Sequence, residues 1–349
     1  LLLTVESPIR KVKGGTRMNR EVSADERASR LYQLKKNGRG FLWSLFRMAI
    51  LLGLAFVVLY PLINMLSVAF RDVQDLADPG VVWIPKHFTL ENIRDAWKFM
   101  DYLQSFFNTL LLNVLPALIQ TASCAIVGYG FARFQFKGKN VFFMLVLFTI
   151  LVPQSVVYMP TYLMYRDFDP LGIVSLINLI SGNSMQLNLL DTPLTILLPA
   201  VLAVGLRAGL FIYIFRQFFR NLPHELEDAA YIDGCGSLNT FIRIILPNAI
   251  NAIITCLLFS VVWNWNDYYT TIMYFADTKT ISVALVGIQD AMTSMSEYEG
   301  IRSDPYQLAT RLQAGCLLSI TPLLLLFAVA QRFFTQGLER TGIVGCSCK

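Results

Sequence analysis

The chain has 349 residues, of which 55% are hydrophobic and 15% are charged, and its formal net charge is +5. Soluble domains typically carry about 25% charged residues, so this composition excludes an ordinary soluble protein and indicates a membrane protein. The basic residues stand at the ends of apolar segments and form no stripe interleaved with aromatic residues, which argues against nucleic-acid binding.

The first 40 residues are predicted to form a cytoplasmic extension (1–40) ahead of the first apolar segment. The codons for Lys13-Gly14-Gly15 can spell a purine-rich ribosome-binding sequence shortly before a start codon at Met18. We therefore expect natural translation to begin at Met18 and residues 1–17 to be a translated leader. A capping box at 23–26 predicts a helix whose basic residues either meet an anionic membrane surface or form a solvated arm.

Six apolar segments are long enough to cross a bilayer core, which takes about 20 residues. They predict six transmembrane helices, over residues 42–70, 106–131, 141–164, 193–215, 248–275 and 312–334. Prolines at these segments predict kinks in a bundle that lines a cavity. These prolines are Pro61, Pro116, Pro153, Pro160, Pro199 and Pro322. The predicted fold class is an all-α polytopic membrane protein, with one transmembrane domain at 41–345 and a tail at 346–349.

Lysine and arginine residues set the predicted orientation. With the N-terminus inside the cell, the inside segments hold 19 of these residues and the outside segments hold 8. Loops rich in Lys and Arg remain on the cytoplasmic side of a membrane. Both chain termini and the loop around Glu227 are therefore expected on the cytoplasmic face.

Three connecting segments differ in what their sequences predict. The outer segment 71–105 predicts a turn and then a short capped helix that ends near Trp97. The segment 133–139 is a tight basic turn, which the membrane orientation alone explains. The segment 165–192 is rich in Asn, Ser and Gly, and its sequence indicates no role.

Arg207 lies inside the fourth predicted span, about 13 Å from Arg216 at the cytoplasmic end of that span by helical rise. A charge at this depth usually faces the bundle interior or a water-filled cavity. Arg207 is therefore a candidate for the substrate pathway. The alternative is a structural ion pair or a clamp on backbone carbonyls.

The segment 221–247 is the long charged stretch between two apolar spans. Asn221 can cap a short helix whose first turn is acidic, which suits the positive end of a helix dipole. Gly234 follows where a positive φ is expected, and a second amphipathic helix is predicted to begin at Ser237. Its apolar residues recur at spacings of three and four: Leu238, Phe241, Ile242 and Ile245.

The order Glu227-Asp228-Ala229-Ala230, then Asp233-Gly234 and later Leu246-Pro247, resembles the EAA loop of bacterial ATP-binding-cassette (ABC) importer permeases. It is similar to the version found in the carbohydrate-uptake family, which is maltose-type and binding-protein-dependent. Looser similarity covers about residues 41–345. The departures from the usual motif are mild: Asp228 for Glu, Cys235 for Ala, and Asn251 for a second Pro.

The resemblance implies the permease subunit of an ATP-driven sugar or oligosaccharide importer in the bacterial cytoplasmic membrane, surrounded by membrane lipid. The implied partners are a homologous second permease, two ABC ATPase subunits and an extracytoplasmic sugar-binding protein. ATP and Mg would be bound by the ATPase subunits, with no cofactor in this chain. The EAA loop would insert as a coupling hairpin into a groove of an ATPase. The implied coupling residues are Glu227, Asp228, Ala229, Ala230, Asp233, Gly234, Leu238, Phe241 and Pro247.

Two outer features also resemble this family. Phe107-Asn108-Thr109 matches a short motif at the start of the second span. The outer segment 71–105 before it would receive the binding protein or merely connect two spans.

The aromatic stretch 263–269 lies about 24 to 33 Å beyond Pro247 by helical rise, near the outer interface. Aromatic belts occupy such positions by default. An indole face flanked by amides and a carboxylate also suits a sugar, whose C–H face stacks while its hydroxyls form hydrogen bonds. The candidate sugar contacts are Trp263, Asn264, Trp265, Asn266 and Asp267, with helix packing or a belt role as the alternative.

Signatures of enzymes are absent from the sequence, including the phosphate-binding loop and the zinc-protease motif. We expect no catalytic residue here, and ATP must be hydrolysed in another subunit. The six cysteines include no Cys-x-x-Cys and indicate neither a disulfide framework nor a zinc site. The alternative functions are an ABC permease for another solute or, less expected, a self-contained carrier or channel, which would place coupling charges near the bilayer midplane.

Overall fold

The computed structural model describes residues 43–182, 186–299 and 305–342. The predicted leader, the capping box at 23–26 and the tail at 346–349 lie outside the described residues. The chain divides into two compact units, one ending at Asn64 and the other beginning at Met65. Across the described residues the elements are helical, with one isolated antiparallel pairing between Arg71 and Phe88. The predicted all-α class is confirmed.

The described residues form eighteen α-helices in chain order. From the first to the ninth they are α1 Trp43–Ala69, α2 Val73–Ala77, α3 Glu91–Phe99, α4 Tyr102–Thr109, α5 Leu115–Arg133, α6 Lys139–Leu151, α7 Gln154–Arg166, α8 Ile173–Ser181 and α9 Leu194–Val201. The later ones are α10 Ala208–Asn221, α11 Glu225–Ile232, α12 Ser237–Thr240, α13 Leu246–Asn248, α14 Ile250–Trp265, α15 Tyr269–Tyr274, α16 Ile281–Val286, α17 Ile288–Glu299 and α18 Pro305–Gly342. Two π-helical turns, Leu110–Val114 and Phe241–Ile245, continue α4 into α5 and α12 into α13.

Among the described residues, three continuous helical stretches are long and apolar enough to cross a membrane. They are Trp43–Ala69, Tyr102–Arg133 and Pro305–Gln331. The number rises to five if each of two sharply bent helix pairs is one crossing. The predicted span at 193–215 is divided into α9 and α10, because the backbone turns at Ala203 and Arg207, whose φ values are 56° and 55°.

The two bent pairs have identifiable causes. The axes of α6 and α7 differ by 105°, and Pro153 stands between them. Proline disfavours helical backbone at the residue before it, and Val152 is extended. This confirms the kink predicted at Pro153. The second pair bends by 78° between Asn248 and Ile250, where Ala249 leaves helical geometry.

The outer segment after α1 is held by buried polar side chains. The guanidinium of Arg71 is buried and donates to the Ser67 hydroxyl and the Val81 carbonyl. The Asn92 amide donates to the Arg71 carbonyl at 2.7 Å and thereby fixes α3. The helix predicted here is confirmed as α3, but its N-cap residue is Leu90, whose side chain makes no capping hydrogen bond. The Thr89 hydroxyl, one residue earlier, accepts from the Glu91 N–H at 3.2 Å.

The central packing of the second unit joins α5, α10 and α14. Two glycines allow α10 to approach its neighbours closely. A Cβ added at Gly128 of α5 would lie 2.6 Å from the Phe215 Cβ, and one added at Gly209 would lie 2.8 Å from the Val146 carbonyl of α6. The buried aromatic and aliphatic residues of this cluster include Tyr129, Phe211, Ile212, Phe215, Phe219, Phe241 and Ile245. The cluster ends beside the predicted EAA loop, so the loop rests on this buried cluster.

Candidate functional site

The segment 221–247 forms two short helices joined at a glycine. Gly234 has a φ of 80°, so the predicted positive φ is confirmed, and a Cβ added there would meet no atom within 4 Å. The second helix begins at Ser237 as predicted. The predicted cap is wrong, because Asn221 is the last residue of α10 and α11 starts at Glu225 after His224.

The inward side of this loop centres on Glu227. The Arg133 Nε lies 2.9 Å from the Glu227 Oε1, and the two side chains are 4% and 8% exposed. The contact is an ion pair and not an aligned hydrogen bond, since this Nε–H meets no acceptor within the described part of the chain. The Tyr129 hydroxyl, one turn earlier on α5, donates to the same carboxylate oxygen at 3.3 Å. We call Tyr129, Arg133 and Glu227 the buried clamp.

Further contacts strengthen the clamp on both sides. The Arg133 Nη2 donates to the Leu222 carbonyl at 2.8 Å, which satisfies a backbone group between α10 and α11. The Phe241 ring is buried, 4.7 Å from the Tyr129 ring and 6.2 Å from the Phe219 ring. Ala230 is also buried. Three of the implied coupling residues, Glu227, Ala230 and Phe241, therefore face the helix bundle and not the solvent.

The opposite side of the loop is exposed and partly apolar. Ile232 is 86% exposed and Leu238 is 71% exposed. The sequence pattern places Leu238 and Phe241 on one apolar face. In the structure both border the apolar groove beside Tyr129, where Phe241 is buried and Leu238 is exposed. The remaining implied coupling residues are exposed: Asp228, Ala229, Asp233, Gly234 and Pro247. We call this exposed side the outer face of the loop.

Arg207 is at the N-terminal boundary of α10 and not in the interior of a continuous span. Its guanidinium lies 4.6 Å from the centroid of the Trp263 ring, a cation–π contact that joins two of the predicted pathway residues. Trp263 in turn stacks on Phe211 and Phe259, with centroid separations of 5.7 and 5.5 Å. Arg207 also lines a cavity of about 530 Å³ between the α6–α7 bend and the turn at 202–207.

A second cavity of about 220 Å³ adjoins the first. Asn264 and Asp267 line it, together with Tyr158 and Gln120. The Asp267 Oδ1 accepts from the Thr270 N–H at 3.2 Å. The two cavities share part of their walls: Gln154, Val157, Val204, Gly205 and Leu206.

The other residues of the predicted aromatic site point elsewhere. The Trp265 indole is 5% exposed, lies against Phe106 and donates to the Ser319 carbonyl at 3.2 Å. These contacts support the helix-packing alternative for Trp265. Asn266 is exposed, and its amide donates to the Val262 carbonyl of its own helix.

Comparison with known proteins identifies the kind of molecule that carries these features. Residues 124–340 match the model of a protein family described as "Binding-protein-dependent transport system inner membrane component". The chain belongs to this family. The family consists of membrane components of transport systems, which accords with the apolar helices, and its description names no enzyme.

Individual members of this transport family match most of the chain. The chain is 26% identical over 297 residues to the arabinooligosaccharides transport system permease protein AraQ of Halalkalibacterium halodurans, covering 84% of this chain and 93% of AraQ. It is 28% identical over 301 residues to the polygalacturonan/rhamnogalacturonan transport system permease protein YtcP of Bacillus subtilis, covering 82% and 93%.

A solved structure shares the fold of this transport component. It is the crystal structure of a bacterial ABC transporter involved in the import of the acidic polysaccharide alginate, with a TM-score of 0.66 and 21% identity. The match covers 84% of this chain and 96% of that chain. The fold of an ABC permease is therefore shown.

Two features of this transport component could hardly be predicted from the sequence: the pairing of Arg133 with Glu227, and the position of Gln154. The basic turn at 133–139 was expected from the predicted membrane orientation alone, yet Arg133 is paired with Glu227 across 94 positions of the chain. Gln154 lines both cavities and follows Pro153 without any motif. Of these two features, only the clamp has a sequence signal. Tyr129 and Arg133 are one helical turn apart at the end of a predicted span, so their side chains lie on the same face of the helix.

Proposed function

We propose that this chain is the permease subunit of an ATP-driven importer of sugars or oligosaccharides. It forms the translocation pathway with a homologous second permease. Two cytoplasmic ATPase subunits bind ATP and Mg, and an extracytoplasmic binding protein delivers the substrate. The names of AraQ and YtcP, both transport permeases for oligosaccharides or polysaccharides, support the substrate class.

The proposal includes six membrane crossings with both termini in the cytoplasm. Three crossings are the continuous stretches, one is the bent pair of α6 and α7, and one is α14, the second half of the other bent pair. The remaining crossing is the divided pair α9 and α10, whose interruption at 202–207 lines the larger cavity. Irregular backbone is tolerated at membrane depth where it lines a cavity. The excess of Lys and Arg on the inside segments supports this orientation.

The observation that carries the proposal is the two-sided construction of the 221–247 loop. Its inner side is anchored to α5 through the buried clamp, while its outer face presents Ile232 and Leu238 to solvent. Exposed apolar residues beside acidic ones are typical of a surface that docks another protein. An ATPase that binds this outer face gains a rigid connection to the helix bundle.

The mechanism follows from this rigid connection. When the two ATPase subunits close on ATP, the loop moves with the subunit to which it is docked. The clamp transmits that movement to α5, which packs closely on α10 and α14. Movement of these helices as a body exposes the cavities alternately to the two sides of the membrane.

The substrate pathway is proposed to run past the two adjoining cavities. Arg207, in contact with the Trp263 ring, borders the larger one, and Asn264 and Asp267 border the smaller one. Hydroxyl, amide and carboxylate groups in a mostly apolar cavity suit a sugar, whose hydroxyls both donate and accept. Trp265 and Asn266 contribute through packing and helix structure.

The proposal is tested by reconstituting the complete complex and changing the outer face. Leu238→Asp should abolish co-purification of the ATPase subunit and sugar-stimulated ATP hydrolysis while the chain remains inserted in the membrane. Gly234→Val should do the same by opposing the positive φ and reorienting α12. The matched control is Ile84→Asp, which places the same charge on a residue 81% exposed in the outer segment and should leave ATPase binding intact.

Two outcomes would contradict the proposal. One is normal ATPase binding and coupled uptake in both loop variants. The other is solute uptake by the purified chain without any ATPase, which would favour a self-contained carrier or channel.

A further inference from the structure

The guanidinium of Arg207 has no polar partner among the described residues. It takes part in no hydrogen bond or ion pair there, and its contact is the face of the Trp263 ring. By contrast, Arg311 donates to the Asp95 carboxylate at 2.6 Å and 2.9 Å. A guanidinium carries five N–H donors in a planar fork that matches a carboxylate. The donors of Arg207 are therefore available to a ligand.

The position of this cation is fixed by the surrounding structure. The stack of Phe211, Trp263 and Phe259 supports the guanidinium from one side. The backbone of Arg207 adopts a φ of 55°, which non-glycine residues rarely adopt. Such a conformation persists only where the surrounding contacts enforce it, and it is commonly found at binding sites.

The charges of the two cavities are separated. Arg207 is the charged side chain in the larger cavity, and Asp267 is the charged side chain in the smaller one. The rest of the larger wall is mainly aliphatic, with Val146, Ile150 and Leu151 among its members. Low polarity strengthens the attraction between a cation and an anion. An anionic group is thus favoured at the Arg207 end and repelled at the Asp267 end.

Gln154 stands between these two ends, because it lines both cavities. Within the described part of the chain its amide makes no hydrogen bond. An amide both donates and accepts, which suits sugar hydroxyls. A ligand with one carboxylate and several hydroxyls therefore matches the order of polar groups along the joined cavities.

We propose that Arg207 binds the carboxylate of an acidic sugar, so that the permease carries oligosaccharides containing uronate units. The Gln154 amide donates to and accepts from the hydroxyls of the same or the next sugar unit. The Asp267 carboxylate accepts from these hydroxyls. The proposal rests on the proposed function and specifies its substrate. A neutral sugar would leave the guanidinium without a counter-charge, whereas a carboxylate forms the charge-assisted, bidentate contact.

The test compares two disaccharides that differ only at the carboxyl group. These are an α-1,4-linked galacturonate disaccharide and the galactose disaccharide of the same linkage. The complete complex, with one unchanged binding protein throughout, is reconstituted in liposomes, and uptake of each is measured. We expect Arg207→Gln to lower uptake of the acidic disaccharide about tenfold to a hundredfold, as for loss of a charge-assisted hydrogen bond, and to leave the neutral one nearly unchanged.

Two further variants separate charge recognition from general damage. Arg207→Lys retains the charge and should restore part of the uptake of the acidic disaccharide. Arg216 is on the same helix as Arg207, stacks on the Phe143 ring at 3.9 Å and lines neither cavity. Arg216→Gln therefore removes a cation from this helix and should not change the preference between the two sugars.

Equal losses for both disaccharides in Arg207→Gln would overturn the assignment. So would a parent complex that imports the neutral disaccharide and not the acidic one. In both cases continued uptake of a neutral sugar would leave the proposed function standing. A parent complex that imports no sugar of either kind would overturn both.

Discussion

Arg133 and Arg207 are both arginines at helix ends in the apolar part of the chain, and their surroundings are opposite. Arg133 is 4% exposed in its side chain and is paired with Glu227. Arg207 is exposed in a cavity, and its contact is the Trp263 ring. Arg133 holds the 221–247 loop to α5 through its ion pair. The N–H donors of Arg207 make no hydrogen bond or ion pair with the described residues.

This difference shows how the two roles are recognised. A charge that is buried requires a partner, because leaving it unpaired destabilises the fold by several kcal/mol. A charge that lines a cavity retains access to water or to a ligand and needs no protein partner. The surroundings of each arginine, and not its residue type, therefore separate a structural cation from the cation that we propose binds a ligand.

The largest expected effect comes from breaking the buried clamp. Glu227→Gln leaves the Arg133 guanidinium buried and without its counter-charge, which should lower the free energy of unfolding by about 3 to 5 kcal/mol. Thermal unfolding of the purified full-length chain in detergent measures this change. Asp228→Asn, an exposed neighbouring carboxylate, is the matched control and should change the unfolding temperature little.

A double variant distinguishes the energy of the clamp from its coupling role. Arg133→Met together with Glu227→Leu replaces the ion pair with apolar groups, which is often nearly neutral for stability. Loss of the bond to the Leu222 carbonyl costs about 1 kcal/mol, so we expect unfolding within about 2 kcal/mol of the parent. Sugar-stimulated ATP hydrolysis should nevertheless be uncoupled from uptake. A stable double variant that transports normally would show that the clamp only holds the loop in place.

The unpaired arginine should behave differently in the same stability assay. Arg207→Met keeps the aliphatic stem and removes the cation–π contact, which is worth about 0.5 to 1 kcal/mol at an exposed site. The free energy of unfolding should therefore fall by less than about 1 kcal/mol. A loss as large as that of Glu227→Gln would mean that Arg207 holds the fold together, contrary to the comparison.

The smallest effect is expected at the buried Asp75 carboxylate, whose neighbour His87 is largely exposed. Burial of the Asp75 carboxyl opposes ionisation, but the His87 backbone N–H, the His87 ring and the Lys86 N–H together hold the pKa of Asp75 below its ordinary value of 3.8. The ionised carboxylate thus stabilises the outer segment above the unfolded pKa of about 3.9, and this stabilisation is lost as the pH falls through the lower folded value. Asp75→Asn should remove this part of the acid sensitivity, which unfolding temperatures measured across that pH range would detect. An unchanged pH profile would assign the acid sensitivity to other groups.

Several features were predictable because they depend on local chemistry. Gly234 was identifiable from its place after a short acidic helix, since glycine alone adopts a positive φ without strain. The apolar segments at 42–70 and 106–131 matched continuous helices closely, because hydrophobic length needs no tertiary information. The motif at 227–247 was sufficient to indicate the family.

Other features depended on which helix lies next to which. Asn221 carried a strong capping signal, yet α10 continued through it because its buried face packs on α5. The fourth predicted span was apolar apart from Thr195 and Arg207, yet its backbone turned at 202–207. The apolar composition of this segment predicts that it lies in a membrane. It does not predict that the backbone changes direction at Ala203 and Arg207.

The sequence by itself determined that this is a helical membrane protein of a transport family, because hydrophobic length, charge distribution and one local motif act over short stretches. Only the tertiary structure decided the inner and outer faces of the loop and the partners of each arginine. Glu227 meets Arg133 across 94 positions, and Phe241 is buried in a π-helical turn while Leu238 remains exposed. Such pairings arise from the packing of distant helices, and spacing along the chain does not encode them.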